Sequence, residues 1–218
     1  MHLTVINCSP RIKSKSNTEI ILEHFLRGFE ERGNTSEVWH LSDKNEWESA
    51  AKAFYGGTDI LFALPLFVEN IPGVMLEFLE QLTPKAESGT RISFILQGGF
   101  PEAAQLRCGE KFLKSLPEKF GCALGGVLIK GNMFGMRLVP EEMAAPQLEE
   151  FVGAGRHFAE NGGFSEDFAK KFGGPEHFPK SEIVKFRLFG RIMQRIYMPK
   201  IAAGMGCTKK LTYKPYKS

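Results

Sequence analysis

The stretch that decides the fold lies near the amino terminus: residues 3–26, LTVINCSPRIKSKSNTEIILEHFL. An apolar run of strand character enters a segment of Ser, Pro, Arg, Lys and Asn. An amphipathic helical pattern follows at once, with Ile20, Ile21, Phe25 and Phe29 on one face. Loops between strand and helix commonly need about two to six residues. A longer, basic, hydroxyl-rich loop at this place needs something to wrap. Its hydroxyls, its backbone N–H groups and the start of the helix converge on one small space. Such a space suits a phosphate, because unpaired amides and the helix dipole both favour an anion. Arg11, Lys13 and Lys15 add positive charge at the rim, and Arg can hold a phosphate through two parallel hydrogen bonds. The plainer alternative is a solvated loop in which Asn17 or Thr18 only caps the helix, but a cap needs one such residue and not a cluster.

Outward from this stretch, strand-like runs at 2–7, 36–41, 59–64, 91–97 and 123–130 alternate with helical patterns at 18–32, 47–55, 73–82, 102–119 and 141–160. Five β units, each followed by a helix, imply a parallel sheet covered on both faces. The rhythm over residues 1–163 predicts an α/β fold of the flavodoxin-like, doubly wound kind, a five-stranded parallel sheet in the order 2-1-3-4-5. A dinucleotide-binding Rossmann sheet would carry a Gly-rich fingerprint after its first strand, and residues 7–12, NCSPRI, contain no glycine.

The expected strand order places strands 1, 3 and 4 side by side, and ligands bind beyond their carboxyl ends. The unusual loops of the chain follow those same three strands. After strand 3 comes LPLFVENIPG, residues 64–73, stiffened by two prolines and apolar where a loop is ordinarily polar. It suits a flat heteroaromatic ring, although Leu66 and Phe67 would equally cover a helix or a neighbouring subunit. After strand 4 comes QGGFPE, residues 97–102, whose glycines allow close backbone approach. A phosphate at the first loop and a planar ring across the other two describe a mononucleotide-like cofactor, which on this fold points to FMN.

These residues carry a resemblance. The S-P-R-x4-S-N-T pattern at 9–18, the P-L-F-x-x-N-I-P-G segment at 65–73 and the glycines at 98–99 resemble the NADPH-dependent FMN reductase family, and within it the flavodoxin-like NAD(P)H oxidoreductases. The likeness covers about residues 1–160, and the ending LTYKPY, 211–216, is similar to tails found there. It implies that Ser9, Arg11, Ser16, Asn17 and Thr18 hold the FMN phosphate. It implies further that Pro65, Leu66, Phe67, Val68 and Asn70 flank the ribityl chain and ring, with Gly98, Gly99 and Phe100 at the ring edge. It also implies a homodimer and a ping-pong cycle with NAD(P)H as co-substrate. The acceptor would be small: a quinone, an azo or nitro aromatic, or free flavin. No side chain need act as acid or base, since the flavin carries the chemistry. Nothing in the sequence reads a 2′-phosphate, so NADH and NADPH stay open. Cys8 and Phe67 stand where Gly and Tyr are common in the family. A flavodoxin-type electron carrier and a flavin-free interaction scaffold are the alternatives; the mildly acidic body speaks against the carrier, which is ordinarily strongly acidic.

Composition agrees with a soluble protein: 43% of residues are apolar, 24% charged, and no apolar run is long enough to span a membrane. The chain opens on a strand pattern, so a secretory leader is not expected. Four dispersed cysteines and five scattered histidines give no metal-ligand spacing and suit a reducing, cytoplasmic compartment. Phe is abundant, with 19 copies, which points to an aromatic core or an apolar interface. Cys8, next to the expected phosphate, reads as a small buried filler before it reads as a reactive thiol. His40, at the end of the second strand, reads as a surface residue.

Residues 164–218 break the rhythm and invert the charge. They hold 12 Lys and Arg against 4 Asp and Glu, whereas residues 1–163 hold 16 against 21. The segment is therefore expected to be a basic amphipathic extension of a 1–163 domain. In 181–198, Arg187, Arg191 and Arg195 form one line, and Val184, Leu188, Ile192 and Ile196 another. Such a helix fits either packing on the body or a second subunit, the commoner fate, or peripheral contact with an anionic membrane. Nucleic-acid binding is not expected, for want of a reading motif.

Overall fold

A computed structural model describes residues 1–85, 89–214 and 216, and at Phe186, Ile192 and Met193 the backbone alone. The strands are β1 (His2–Asn7), β2 (Thr35–His40), β3 (Asp59–Pro65), β4 (Arg91–Gln97) and β5 (Ala123–Lys130). All pair in parallel in the order β2-β1-β3-β4-β5, the order expected from the sequence. The helices are α1 (Asn17–Glu30), α2 (Trp47–Gly56), α3 (Gly73–Leu79), α4 (Arg107–Lys119), α5 (Glu141–Asn161), α6 (Glu166–Phe172) and α7 (Lys180–Gly204).

The sheet is buried on both faces because its central strands are apolar at successive positions, not alternate ones. In β3, Ile60, Phe62 and Leu64 turn towards α2, α3 and α4, in a core that also holds Phe54, Phe78, Phe94 and Leu113. Leu61 and Ala63 turn the other way, joining Phe25 and Phe29 of α1 and Phe151 and Phe158 of α5. The abundance of Phe is explained here: Phe25, Phe158 and Phe164 meet edge to face at 5.1–6.1 Å. α1 and α5 approach until a Cβ on Gly155 would lie 2.0 Å from the Phe25 carbonyl, and one on Gly28 2.0 Å from that of Val152.

The compact body runs to Glu176, and a second unit spans His177–Ser218. Residues 164–176, read from sequence as part of the extension, belong to the body. Phe164 and Phe172 are buried in the α1–α5 core, Phe164 donates its amide to the Gly125 carbonyl, and Arg107 is paired with both Glu176 and Glu110. Residues 164–176 hold two Lys against three Asp and Glu, so the basic charge of the extension lies after them, and burial here is decided by the phenylalanines. The second unit consists of α7 and the segment after it. Of the apolar line expected along α7, the Ile192 side chain lies outside the described residues, as does Pro215 of the 211–216 ending.

Candidate functional site

The loops after β1, β3, β4 and β5 converge on one cleft of about 720 Å³, at the switch point where the sheet reverses its winding beside β1. The first wall begins with Asn7. Its side-chain oxygen accepts the Ser9 amide at 3.0 Å, and the Ser9 hydroxyl in turn accepts the Arg11 amide at 3.3 Å. These bonds curl the loop so that Ser9 and Arg11 face the cleft. A 3-10 turn, Lys13–Lys15, takes up the extra length before α1. Ser16 caps α1 by accepting the Glu19 amide at 3.3 Å. Asn17 and Thr18, in the first turn, line the cleft. The amides of this turn have no partner further back in the helix. The Thr18 hydroxyl oxygen is buried and has no hydrogen-bond partner among the described residues. A buried hydroxyl of this kind costs about 1–3 kcal/mol unless something satisfies it.

Beneath the wall lies a charged network. Glu19 is buried and accepts from Asn7 Nδ2 and from His40 Nε2, each at 2.8 Å, with Lys13 Nζ at 3.2 Å. His40 also donates its backbone amide to Glu46 at 2.6 Å. Burial alone would raise the Glu19 carboxyl, but the hydrogen bonds and charges of His40 and Lys13 hold it below its usual range. The hydrogen bond to Glu19 raises the His40 imidazole against its own burial, aided by the charges of Glu19 and Glu46. His40 is thus a largely buried anchor and not the surface residue its position suggested. Lys13, expected at the rim, is tied to Glu19. Cys8 is fully buried, and burial raises its thiol well above its usual value, so it fills space.

The second wall is the loop after β3. Its start is locked by the Leu66 amide on the Gln97 carbonyl at 2.7 Å. Phe67 and Asn70 then exchange two backbone hydrogen bonds of 2.9 Å around Val68 and Glu69, whose φ angles are 47° and 62°. That is a hairpin turn of the I′ kind, which favours Asn-Gly at its corners, built here from a β-branched residue and a glutamate. The Val68 side chain is 98% exposed. Asn70 is spent on the turn: its side chain accepts the Ile71 amide at 3.0 Å.

The far wall comes from β4 and β5. Gln97 lies buried at the strand end, followed by Gly98, Gly99 and the exposed Phe100. The glycines serve packing more than ligand approach. A Cβ on Gly98 would meet Leu106 at 2.7 Å and one on Gly99 would meet Phe134 at 3.3 Å. The Gly98 amide donates to the Lys130 carbonyl. The loop after β5 is stitched to the first wall by Asn17 Nδ2 on the Met133 carbonyl at 2.8 Å and by Arg137 on the Ser16 carbonyl at 2.8 Å.

Eleven of the thirteen residues marked from sequence line this cleft: Ser9, Arg11, Asn17, Thr18, Pro65, Leu66, Phe67, Val68, Gly98, Gly99 and Phe100. Ser16 and Asn70 do not; each is used up in holding a loop. Sequence reasoning passed over Glu69, Gln97, Gln105, Leu106 and Phe134. Phe134 had a signal, since residues 131–136, GNMFGM, form an apolar, Gly-flanked loop after a strand like the two already marked. Gln105 and Leu106 arrive from a 3-10 turn, Ala103–Leu106, and had none.

No protein-family model matches the chain, and no curated protein matches it in sequence. Solved structures do. An FMN-dependent NADH-azoreductase from Bacillus anthracis, in complex with FMN, is 17% identical, with a TM-score of 0.54 over 73% of this chain and 100% of its own. An NAD(P)H:quinone oxidoreductase from Methanothermobacter marburgensis is 18% identical, with a TM-score of 0.55 over 72% and 96%. The apo form of an NADH:FMN oxidoreductase is 18% identical, with a TM-score of 0.56 over 83% and 97%. The chain therefore shares the flavodoxin-like α/β fold of these oxidoreductases.

Proposed function

We propose that the chain is an FMN-dependent NAD(P)H oxidoreductase, passing hydride from a nicotinamide through the flavin to a small acceptor such as a quinone, an azo or nitro aromatic, or free flavin. The observation that carries this reading is the first turn of α1, where Asn17 and Thr18 line the cleft and the buried Thr18 hydroxyl has no hydrogen-bond partner among the described residues. Together with the free amides of that turn, the Ser9 hydroxyl and the exposed charge of Arg11, it forms a cradle for a phosphate monoester. The rest of the cleft suits a tricyclic ring. Leu66 and Phe67 face it from one wall, Phe100 and Phe134 from the other, and Gln97 offers a buried amide to its polar edge. The volume is in the range of cofactor sites, about 300–1,000 Å³. The neighbours named above, which include an azoreductase holding FMN and a quinone reductase, support the same reading.

FMN, when bound, supplies two-electron redox chemistry, accepting hydride from NAD(P)H and yielding it to the acceptor. The protein's part is positional. Thr18, Ser9 and Arg11 hold one end, the apolar walls exclude water and keep a ring flat, and the exposed Val68, Phe100 and Phe134 leave one side open for donor and acceptor in turn. No side chain is assigned as an acid or base.

The test is spectroscopic. Purified protein titrated with FMN should quench its fluorescence at one equivalent, and the oxidised bands should bleach anaerobically with NADH or NADPH and return on adding a quinone. A protein that takes up no FMN, or whose bound FMN neither nicotinamide reduces, would sink the proposal.

A further inference from the structure

The unit after Glu176 has a composition of its own. Residues 177–218 contain ten Lys and Arg against one glutamate, a net charge of +9, while residues 1–176 carry −6. The unit's one regular element is α7, 25 residues long, followed by turns through Tyr213. No companion helix or strand shares the unit among the described residues.

On α7 the side chains divide by chemistry. Arg187, Arg191 and Arg195 recur every four residues and form one cationic edge. Leu188, Phe189, Ile196 and Tyr197 lie on the broad face beside it, and they are 69, 69, 50 and 49% exposed. Leu211 and Tyr213, in the following segment, are each 55% exposed. Single exposed apolar residues are ordinary; four on one helix beside a row of arginines, with Lys185 and Lys200 at the two ends of their face, are not. No described helix is long and apolar enough to cross a membrane.

We infer that α7 docks the chain on an anionic lipid bilayer, its apolar face in the acyl boundary and Arg187, Arg191 and Arg195 among the headgroup phosphates. Charge complementarity selects this occupant. A nucleic acid would satisfy the arginines but leave Leu188, Phe189 and Ile196 in water. A second copy of α7 would cover the apolar face but oppose one +9 unit with another; the −6 body of a second copy is the competing occupant, which the dimer arm of the test separates. A bilayer containing anionic lipid satisfies both at once, and membrane-surface helices join these two features. The inference rests on residues of the second unit alone and does not depend on the flavin reading. If both hold, the acceptor would be met at the surface where lipid-soluble oxidants reside.

The test is flotation of the full chain with phosphatidylcholine vesicles, with and without about a third of phosphatidylglycerol. Binding to the anionic vesicles should be at least ~10-fold tighter and should weaken as salt rises. Replacing Arg187, Arg191 and Arg195 together by Gln should weaken it by about 100-fold, near five-fold for each charge. The pair Leu188→Ser and Phe189→Ser should weaken it ~10-fold or more. Both variants alter exposed positions, so an unchanged melting curve establishes that they fold. Equal binding to neutral and anionic vesicles, no binding to either, or binding that survives the triple Gln variant would overturn the inference. So would a concentration-dependent dimer that protects α7 from hydrogen exchange without lipid. Tight capture of an RNA oligonucleotide that persists in the Leu188→Ser, Phe189→Ser variant would do the same.

Discussion

Thr18 separates a structural role from a binding role within one side chain. Its hydroxyl is buried and unpartnered, so it adds nothing to the folded protein alone and costs roughly 1–3 kcal/mol. Thr18→Val keeps the shape and removes the orphan group. The expected outcome is a melting temperature unchanged or higher, with FMN affinity lowered by ~10-fold or more, the worth of a hydrogen bond to a charged phosphate. A variant that binds FMN as well as the parent would place the phosphate elsewhere. His40 makes a second prediction. Its folded imidazole titrates above the ordinary 6.5, chiefly through its hydrogen bond to Glu19, so its contribution to stability is full below that value and is lost as pH rises through the raised one. Glu19 titrates below the ordinary 4.5, burial being outweighed by His40 and Lys13, so its contribution is present above 4.5 and lost on further acidification. The two overlap between about pH 4.5 and 6.5. Denaturant midpoints should therefore fall as pH rises above about 6.5, and His40→Gln should flatten that fall. A parent profile already flat across this range would refute the coupling. At this scale the sequence was legible where place in the strand order decides: Ser9, Arg11, Asn17 and Thr18 line the cleft because they follow β1. It was not legible for Ser16 and Asn70, because whether a hydroxyl or amide caps a loop or faces a ligand depends on which backbone amide lies within about 3 Å.

The turn at 67–70 is the element whose sequence and geometry disagree. Val68 and Glu69 sit at φ 47° and 62°, where a β-branched residue is a marked outlier and each non-glycine costs of order 1 kcal/mol or more. The turn is kept because its neighbours over-determine it. Pro65 stiffens one side and Pro72 the other, and the Cys108 thiol donates to the Glu69 carbonyl at 3.3 Å. Replacing the pair by Asn-Gly, the residues an I′ turn prefers, should raise the melting temperature by about 2–4 °C for each kcal/mol relieved. It should also lower turnover with bulky acceptors, since Val68 is the side chain this turn holds out over the cleft. An unchanged melting temperature would mean the turn stores no strain. The loop after β4 shows the converse. Gly98 and Gly99 read as a place for a ligand, yet Leu106 and Phe134 occupy the space their missing Cβ atoms leave. Sequence marks where a glycine stands; only the packing of another element says what fills the room.

For the whole molecule, the division at Glu176 leads to a clear expectation. The body closes on itself: the Ala103 and Ala104 amides donate to the Pro175 and Glu176 carbonyls, and Arg107 bonds Glu176 at 2.7 Å. A chain ending at Glu176 should melt within about 2 °C of the parent and take up FMN equally, while losing vesicle binding. A body that unfolds on truncation would show that the second unit stabilises it. The sheet order, the bounds of all five strands and of α1, α2 and α5 to within two residues, and the two-faced core were determined by the sequence alone. The reason is that apolar periodicity and strand–helix alternation are local signals, and a parallel sheet with short connections leaves few ways to satisfy them. Three loops of the cleft could be named for the same reason, because strand order dictates which carboxyl ends meet. What only the tertiary structure decided was long-range contact between side chains. Phe134 reaches the cleft because Asn17 and Arg137 tie its loop to the first wall, 116 and 121 residues apart in the chain. Residues 164–176 join the body because Phe164 packs on Phe25 and Phe158, and Phe172 packs on Phe151. His40 turns inward because the buried Glu19 carboxylate needs a partner. Such pairings depend on side-chain geometry that is set only once the elements have packed, and no local pattern of residues encodes it.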